Sequence, residues 1–120
     1  LPCAAARKIL GEDYLIGVSA HNPAEAKAAL QSGADYLGCG AVFGTATKAD
    51  VQKLGTEGLA AICREKGLPV VGIGGVTADN YREVRAAGAD GAAIVSGILA
   101  QPDIRATVKA IAKVSQQFAK

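Results

Sequence analysis

Residues 40–48, Gly40-Ala41-Val42-Phe43-Gly44-Thr45-Ala46-Thr47-Lys48, place two hydroxyls, an ammonium and flexible glycines directly after the short apolar run Tyr36-Leu37-Gly38-Cys39. Hydroxyls at Thr45 and Thr47 donate hydrogen bonds, Lys48 adds a mobile point charge, and Gly44 lets backbone approach a ligand closely. This chemistry suits a strand-end loop that grips phosphate; taken alone, it also suits a polar surface turn. Two further sets of small residues, Gly74-Gly75-Val76 and Val95-Ser96-Gly97, follow apolar runs and lead toward helical segments. Such turns expose backbone N–H groups to an anion, or simply permit tight connections. Ser19 closes another apolar run, and His21, the only histidine, lies two residues on. A histidine beside a helix cap is either a surface capping group or an acid–base group.

The elements that would position these residues are legible in the pattern. Leu15–Ser19, Tyr36–Gly40, Val70–Gly74 and Ala92–Ser96 are continuous apolar runs rich in small residues, the signature of strands covered on both faces. Helices separate them. Asn22, Pro23 and Glu25 form an N-terminal signal for a helix that stops at Gly33. Thr77 is expected to cap a helix that stops at Gly88, and Ile104, Val108, Ile111 and Phe118 recur at helical spacing in the last segment.

Gly33-Ala34-Asp35 recurs as Gly88-Ala89-Asp90, each time between a helix and a strand, so the chain reads as two strand-helix-strand-helix units. Alternating strands and helices with tight connections imply an α/β fold with a parallel sheet and right-handed crossovers. Strands within a unit are roughly 21–22 residues apart, near the minimum for a crossover. The excess between the second and third follows strand two, where Thr45, Thr47 and Lys48 lie. In an α/β barrel, loops after the strands build the active site, and those after the last two strands commonly hold phosphate.

Composition narrows the classes. The chain has 120 residues, half of them hydrophobic, and a net charge of +2. At that length it is at most one ordinary domain, large enough for a core but small for an α/β barrel. Basic and acidic residues alternate without a basic stripe, which argues against a nucleic-acid partner. Three widely spaced cysteines, Cys3, Cys39 and Cys63, fit reduced side chains in a cytoplasmic setting rather than a disulfide or zinc framework. No apolar run reaches membrane-spanning length, so no membrane partner is expected. Methionine is absent, and the chain is expected to be a piece of a longer one.

Five segments in order carry a resemblance: Ile16-Gly17-Val18-Ser19-Ala20-His21, Gly33-Ala34-Asp35-Tyr36-Leu37-Gly38, Thr45-Ala46-Thr47-Lys48, Gly72-Ile73-Gly74-Gly75-Val76, and Ala87-Gly88-Ala89-Asp90-Gly91 leading to Val95-Ser96. With them the chain resembles the C-terminal half of the thiamine-phosphate synthase family over almost its whole length. The Gly-Gly and Val-Ser segments are shared with many barrels; the Thr-x-Thr-Lys loop is the specific one. The family often has prolines where this chain has Ala41 and Gly44, a departure that removes no polar group.

The resemblance implies the C-terminal half of a TIM (β/α)8 barrel. It also implies a transferase joining hydroxymethylpyrimidine diphosphate to thiazole phosphate, with Mg²⁺ and release of pyrophosphate. Ser19 and Lys48 would contact the pyrimidine diphosphate, with Lys48 the catalytic residue. Thr45, Ala46, Thr47, Gly75, Val95 and Ser96 would hold the thiazole phosphate. The Mg²⁺ ligands would lie upstream of Leu1, in the other half of the barrel. Two other readings stand beside this one. A thiazole tautomerase shares the strands and has a suspected acid–base histidine matching His21, but lacks the Thr-x-Thr-Lys loop. A non-catalytic phosphate-binding half-barrel would need no metal ligands. In either case the unpaired outer strands are expected to favour self-association.

Overall fold

The computed structural model describes residues 1–44, 54–65 and 67–119. Asn22 behaves as its side chain dictates: Oδ1 accepts from the Glu25 backbone N–H at 2.8 Å, and Pro23 takes a first-turn position that needs no donor. A helix then runs over Pro23–Gln31 (α2), preceded by α1 (Cys3–Leu10) and a strand at Gly17–Ala20 (β1). There follow β2 (Tyr36–Cys39), α3 (Gly55–Arg64), β3 (Val70–Ile73), α4 (Tyr81–Ala86), β4 (Gly91–Ala93), α5 (Ser96–Leu99) and α6 (Ile104–Gln117).

The four strands form one sheet in the order β1-β2-β3-β4, every pairing parallel. Val18 lies beside Leu37 and Leu37 beside Val70, so these side chains share a face. That face is under the helices: Leu37 and Val70 are buried with Leu59, Ile62 and Val84 in one core. The helices form a layer in which α2 packs on α3, α3 on α4 and α4 on α6. The opposite face is bare. Tyr36 and Ile73, which alternate with the buried residues, are 39% and 42% exposed.

The recurrent Gly-Ala-Asp has a physical reason. Asp35 Oδ2 accepts from the Ile16 N–H at 2.7 Å, and the Asp35 N–H donates to the Ile16 carbonyl at 2.8 Å. Asp90 repeats both bonds with Val70, at 2.9 and 2.8 Å. Each aspartate thus clips the start of the preceding strand by pairing with both the N–H and the carbonyl of one residue there; β1 itself begins at Gly17 rather than at Leu15. Arg7 of α1 joins this clip, donating to Asp35 Oδ2 and to the Gly33 carbonyl, both at 2.6 Å. The Arg7 hydrogen bond first, then the Ile16 N–H, holds the Asp35 carboxyl below its ordinary range.

Two boundaries and one apolar face differ from the pattern. The fourth strand ends at Ala93, so Val95 and Ser96 are not in it; Val95 is the cap and Ser96 the first residue of α5. Thr77 opens a turn closed by the Tyr81 N–H on its carbonyl at 2.9 Å, and α4 proper starts only at Tyr81. In α6, Ile111 packs on the core, but Ile104 and Val108 remain exposed. The helix is fixed instead through polar groups: Arg85 Nη1 donates to Tyr81 Oη at 3.0 Å and to Ser115 Oγ at 2.8 Å.

Cys39 is fully buried in β2, and burial pushes its thiol up to about 11 from an ordinary 9.0. Below pH 9 the thiol is neutral in folded and unfolded chain alike, so it costs nothing. Between 9 and about 11 only the unfolded chain ionises, which pulls the equilibrium toward unfolding. Denaturant midpoints should therefore fall through this window, and fall less in Cys39→Ala; equal slopes in the two proteins would refute the assignment to Cys39.

Candidate functional site

Because all strands run the same way, their C-terminal ends lie along one edge of the sheet. There Ser19, His21, Gly40, Ile73 and Gly74 help line an open cavity of about 490 Å³. After β3 the backbone turns through Gly74 (φ 100°) and Gly75 (φ 67°), conformations that L side chains rarely adopt. A Cβ on Gly75 would also sit 2.9 Å from the Phe43 carbonyl oxygen. The approach is close because the chain leaving β2 is laced to β3. Val42 N–H donates to the Ile73 carbonyl at 2.9 Å, and Phe43 N–H to the Gly74 carbonyl at 3.0 Å.

The turn is braced by a residue the sequence pattern did not single out. Asn80 Oδ1 accepts from the Thr77 N–H at 2.8 Å, and its Nδ2 donates to the Gly75 carbonyl at 2.9 Å. The Thr77-x-x-Asn80 spacing, a polar pair at three residues' separation before a helix, was the available signal. Asn80→Ala strands one donor and one acceptor, at about 1–3 kcal/mol for a buried group. We expect a stability loss of ~1–2 kcal/mol in urea titration. Asn80→Asp, which keeps the Thr77 acceptor, should lose less; an Ala variant as stable as the parent would show that the brace is idle.

The β4–α5 connection packs on this same turn. Gly97 is buried, and a Cβ there would collide with the Val76 carbonyl oxygen. Only glycine lets the start of α5 come this close to Val76 and Thr77. The structure thus brings Ser19, Gly75, Val95 and Ser96 to one edge, with Ser19 on the cavity at β1 and the other three at the β3 and β4 turns. Thr45, Ala46, Thr47 and Lys48 lie outside the described residues. The residues flanking that segment are at the same edge: Leu54 N–H donates to the Ala41 carbonyl at 2.6 Å and Gly55 N–H to the Val42 carbonyl at 3.1 Å.

His21 stands at the entrance to α2 with a partner one turn on. Its Nδ1 is 2.9 Å from Glu25 Oε1, which also accepts the His21 backbone N–H at 3.1 Å. The His21 side chain, more than any other contact, holds the Glu25 carboxyl below its ordinary range. Among the described residues, no three His, Cys, Asp or Glu side chains are grouped so as to hold a metal ion. Asp35 and Asp90 are committed to the strand starts, at the edge opposite the cavity. The described residues therefore do not fit a Mg²⁺ site.

Sequential parallel βα units with glycine turns and a cavity at the strand C-termini define part of a (β/α)8 barrel, with its site at the usual end. The chain belongs to the thiamine monophosphate synthase family, whose sequence model matches residues 1–98. It is 43% identical over 114 residues to the thiamine-phosphate synthase of Ruminiclostridium cellulolyticum, covering 95% of this chain and 54% of that protein. It is 44% identical over 123 residues to the thiamine-phosphate synthase of Chloroflexus aurantiacus, covering 99% and 56%. The solved thiamine phosphate pyrophosphorylase from Pyrococcus furiosus superimposes with a TM-score of 0.89 at 37% identity, over 100% of this chain and 57% of that one. The chain spans about half the length of the curated relatives it matches. Among the described residues no helix is long and apolar enough to cross a membrane.

Proposed function

We propose that this chain is one half of a thiamine-phosphate synthase active site: a partial barrel domain over residues 1–120 that binds thiazole phosphate and part of the pyrimidine diphosphate. The observation that carries the reading is the gathering of Ser19, Gly75, Val95 and Ser96 at one strand edge, where both flanks of the Thr45–Lys48 segment also lie. Family membership supplies the chemistry. A C–O bond to pyrophosphate breaks, and the pyrimidine methylene cation left behind is captured by the thiazole nitrogen. Little proton transfer is needed; the site must balance charge on the leaving group and hold the nucleophile near. Lys48 takes the first task, with Ser19 orienting the diphosphate. Thr45, Thr47 and the backbone at Ala46, Gly75, Val95 and Ser96 take the second by anchoring the thiazole phosphate.

Mg²⁺, with octahedral oxygen ligands, would be held by carboxylates of the complementary barrel half together with the substrate phosphates. The reading carries with it a cytoplasmic setting and small phosphorylated substrates as the binding partners. Self-association through the bare sheet face and the outer strands belongs to the chain in isolation. A second reading, an isomerase of the thiazole working through His21, draws on the His21–Glu25 pair at the cavity. The Thr-x-Thr-Lys sequence weighs against it through Lys48, since a substrate without diphosphate has no use for that ammonium. Supplying the complementary half, Mg²⁺ and both substrates, and assaying thiamine phosphate, tests the main reading. Activity on the thiazole alone, lost in His21→Ala, would favour the second.

A further inference from the structure

The His21–Glu25 contact has a directional consequence. An ionised carboxylate can only accept hydrogen bonds, so a 2.9 Å contact from Nδ1 to Glu25 Oε1 requires the proton on Nδ1. Nε2 of the neutral ring then carries the lone pair. Free imidazole side chains favour the other tautomer, with the proton on Nε2, so the carboxylate must be held in place to reverse the preference. It is held from two more directions. The His21 backbone N–H donates to Oε1 at 3.1 Å, and Asn22 Nδ2 donates to Oε2 at 3.2 Å. The Glu25 backbone in turn is fixed by the Asn22 cap at 2.8 Å. The helix cap and the ring partner are therefore one network, anchored by the first turn of α2.

His21 shares its cavity with Ser19, the residue read as a diphosphate contact. We infer that Glu25 is a positioning residue: it holds His21 as the Nδ1–H tautomer, so that Nε2 is offered at the cavity as an acceptor for a substrate N–H. Resting on the proposed activity, whose pyrimidine substrate is 4-amino-2-methyl-5-hydroxymethylpyrimidine diphosphate, that donor is the 4-amino group. The opposite tautomer would present a donor to a donor and repel the same group. Recognition of the pyrimidine is thus set by a carboxylate that does not itself touch it, as an outer carboxylate sets the tautomer of a metal-bound histidine.

The chain has a single histidine, so its ring nitrogens can be read without assignment ambiguity. Long-range ¹H–¹⁵N correlation at about pH 8.5, above the ordinary imidazole range, should show the Nδ1–H form dominant in the parent chain. It should show the Nε2–H form dominant in Glu25→Ala, and an intermediate balance in Glu25→Gln, whose amide oxygen still accepts. The Asn22 cap remains in both variants, and circular dichroism checks that α2 is retained. A parent chain with its proton on Nε2, or a tautomer balance unmoved by Glu25→Ala, overturns the inference whatever the enzyme does. In the completed synthase, Glu25→Ala should raise KM for the pyrimidine diphosphate about tenfold and leave kcat within about twofold. An unchanged KM beside a shifted tautomer would overturn the recognition role while leaving the proposed activity intact.

Discussion

Replacing Lys48 by alanine in the completed enzyme should lower kcat by about 10²-fold or more, equivalent to ~2.7 kcal/mol of transition-state stabilisation. The effect depends on where charge grows. Before bond cleavage the diphosphate carries its resting charge, and Lys48 contributes ordinary binding. As the C–O bond breaks, negative charge accumulates on the departing oxygen, and an ammonium beside it gains energy that the ground state did not have. Only such a difference speeds the chemical step. The loss should therefore appear mainly in kcat rather than in KM. Ala46→Ser, two residues away, adds a hydroxyl where the proposal assigns only backbone contact and should change little. Single-turnover measurements separate chemistry from product release. An unchanged kcat for Lys48→Ala would make the lysine a solvated loop residue and remove the central element of the proposed mechanism.

This 120-residue chain alone should make no detectable thiamine phosphate, and activity should appear on mixing with the complementary barrel half. Two physical deficits point the same way. The described residues gather no carboxylates for Mg²⁺. The sheet also ends at β1 and β4 with unpaired edges, while its inner face leaves Tyr36 and Ile73 open to water. Four more parallel strands would pair both edges, since about eight close a barrel whose interior side chains fill. Robust synthesis by the chain alone would place the metal site among its own residues and overturn the half-site reading. Activity confined to the mixture, abolished by chelation, is the expected result.

Much of the fold was already legible in the sequence. Four apolar runs marked the strands, although the covering they imply on both faces is present on one only, the other leaving Tyr36 and Ile73 exposed, and the two-unit repeat marked their parallel order. Asn22 and Pro23 marked the start of α2 correctly, since capping depends on local side-chain reach. The Gly-Ala-Asp repeat was visible but not its purpose: Asp35 and Asp90 act on Ile16 and Val70, distant in sequence, and only the folded sheet brings them within bonding distance. The end of the fourth strand was misjudged for a similar reason. Val95 is as apolar as a strand residue, but the contact between Gly97 and the Val76 carbonyl draws the chain away into α5. Ser19, Gly75, Val95 and Ser96 could be named from residue type, because hydroxyls and small residues after strands have a restricted chemistry. That they lie along one edge, that Asn80 braces the turn beside them, and that Glu25 fixes the histidine at its entrance were decided by the tertiary structure. Local residue chemistry determines what each group can do; parallel strand packing determines which groups do it together.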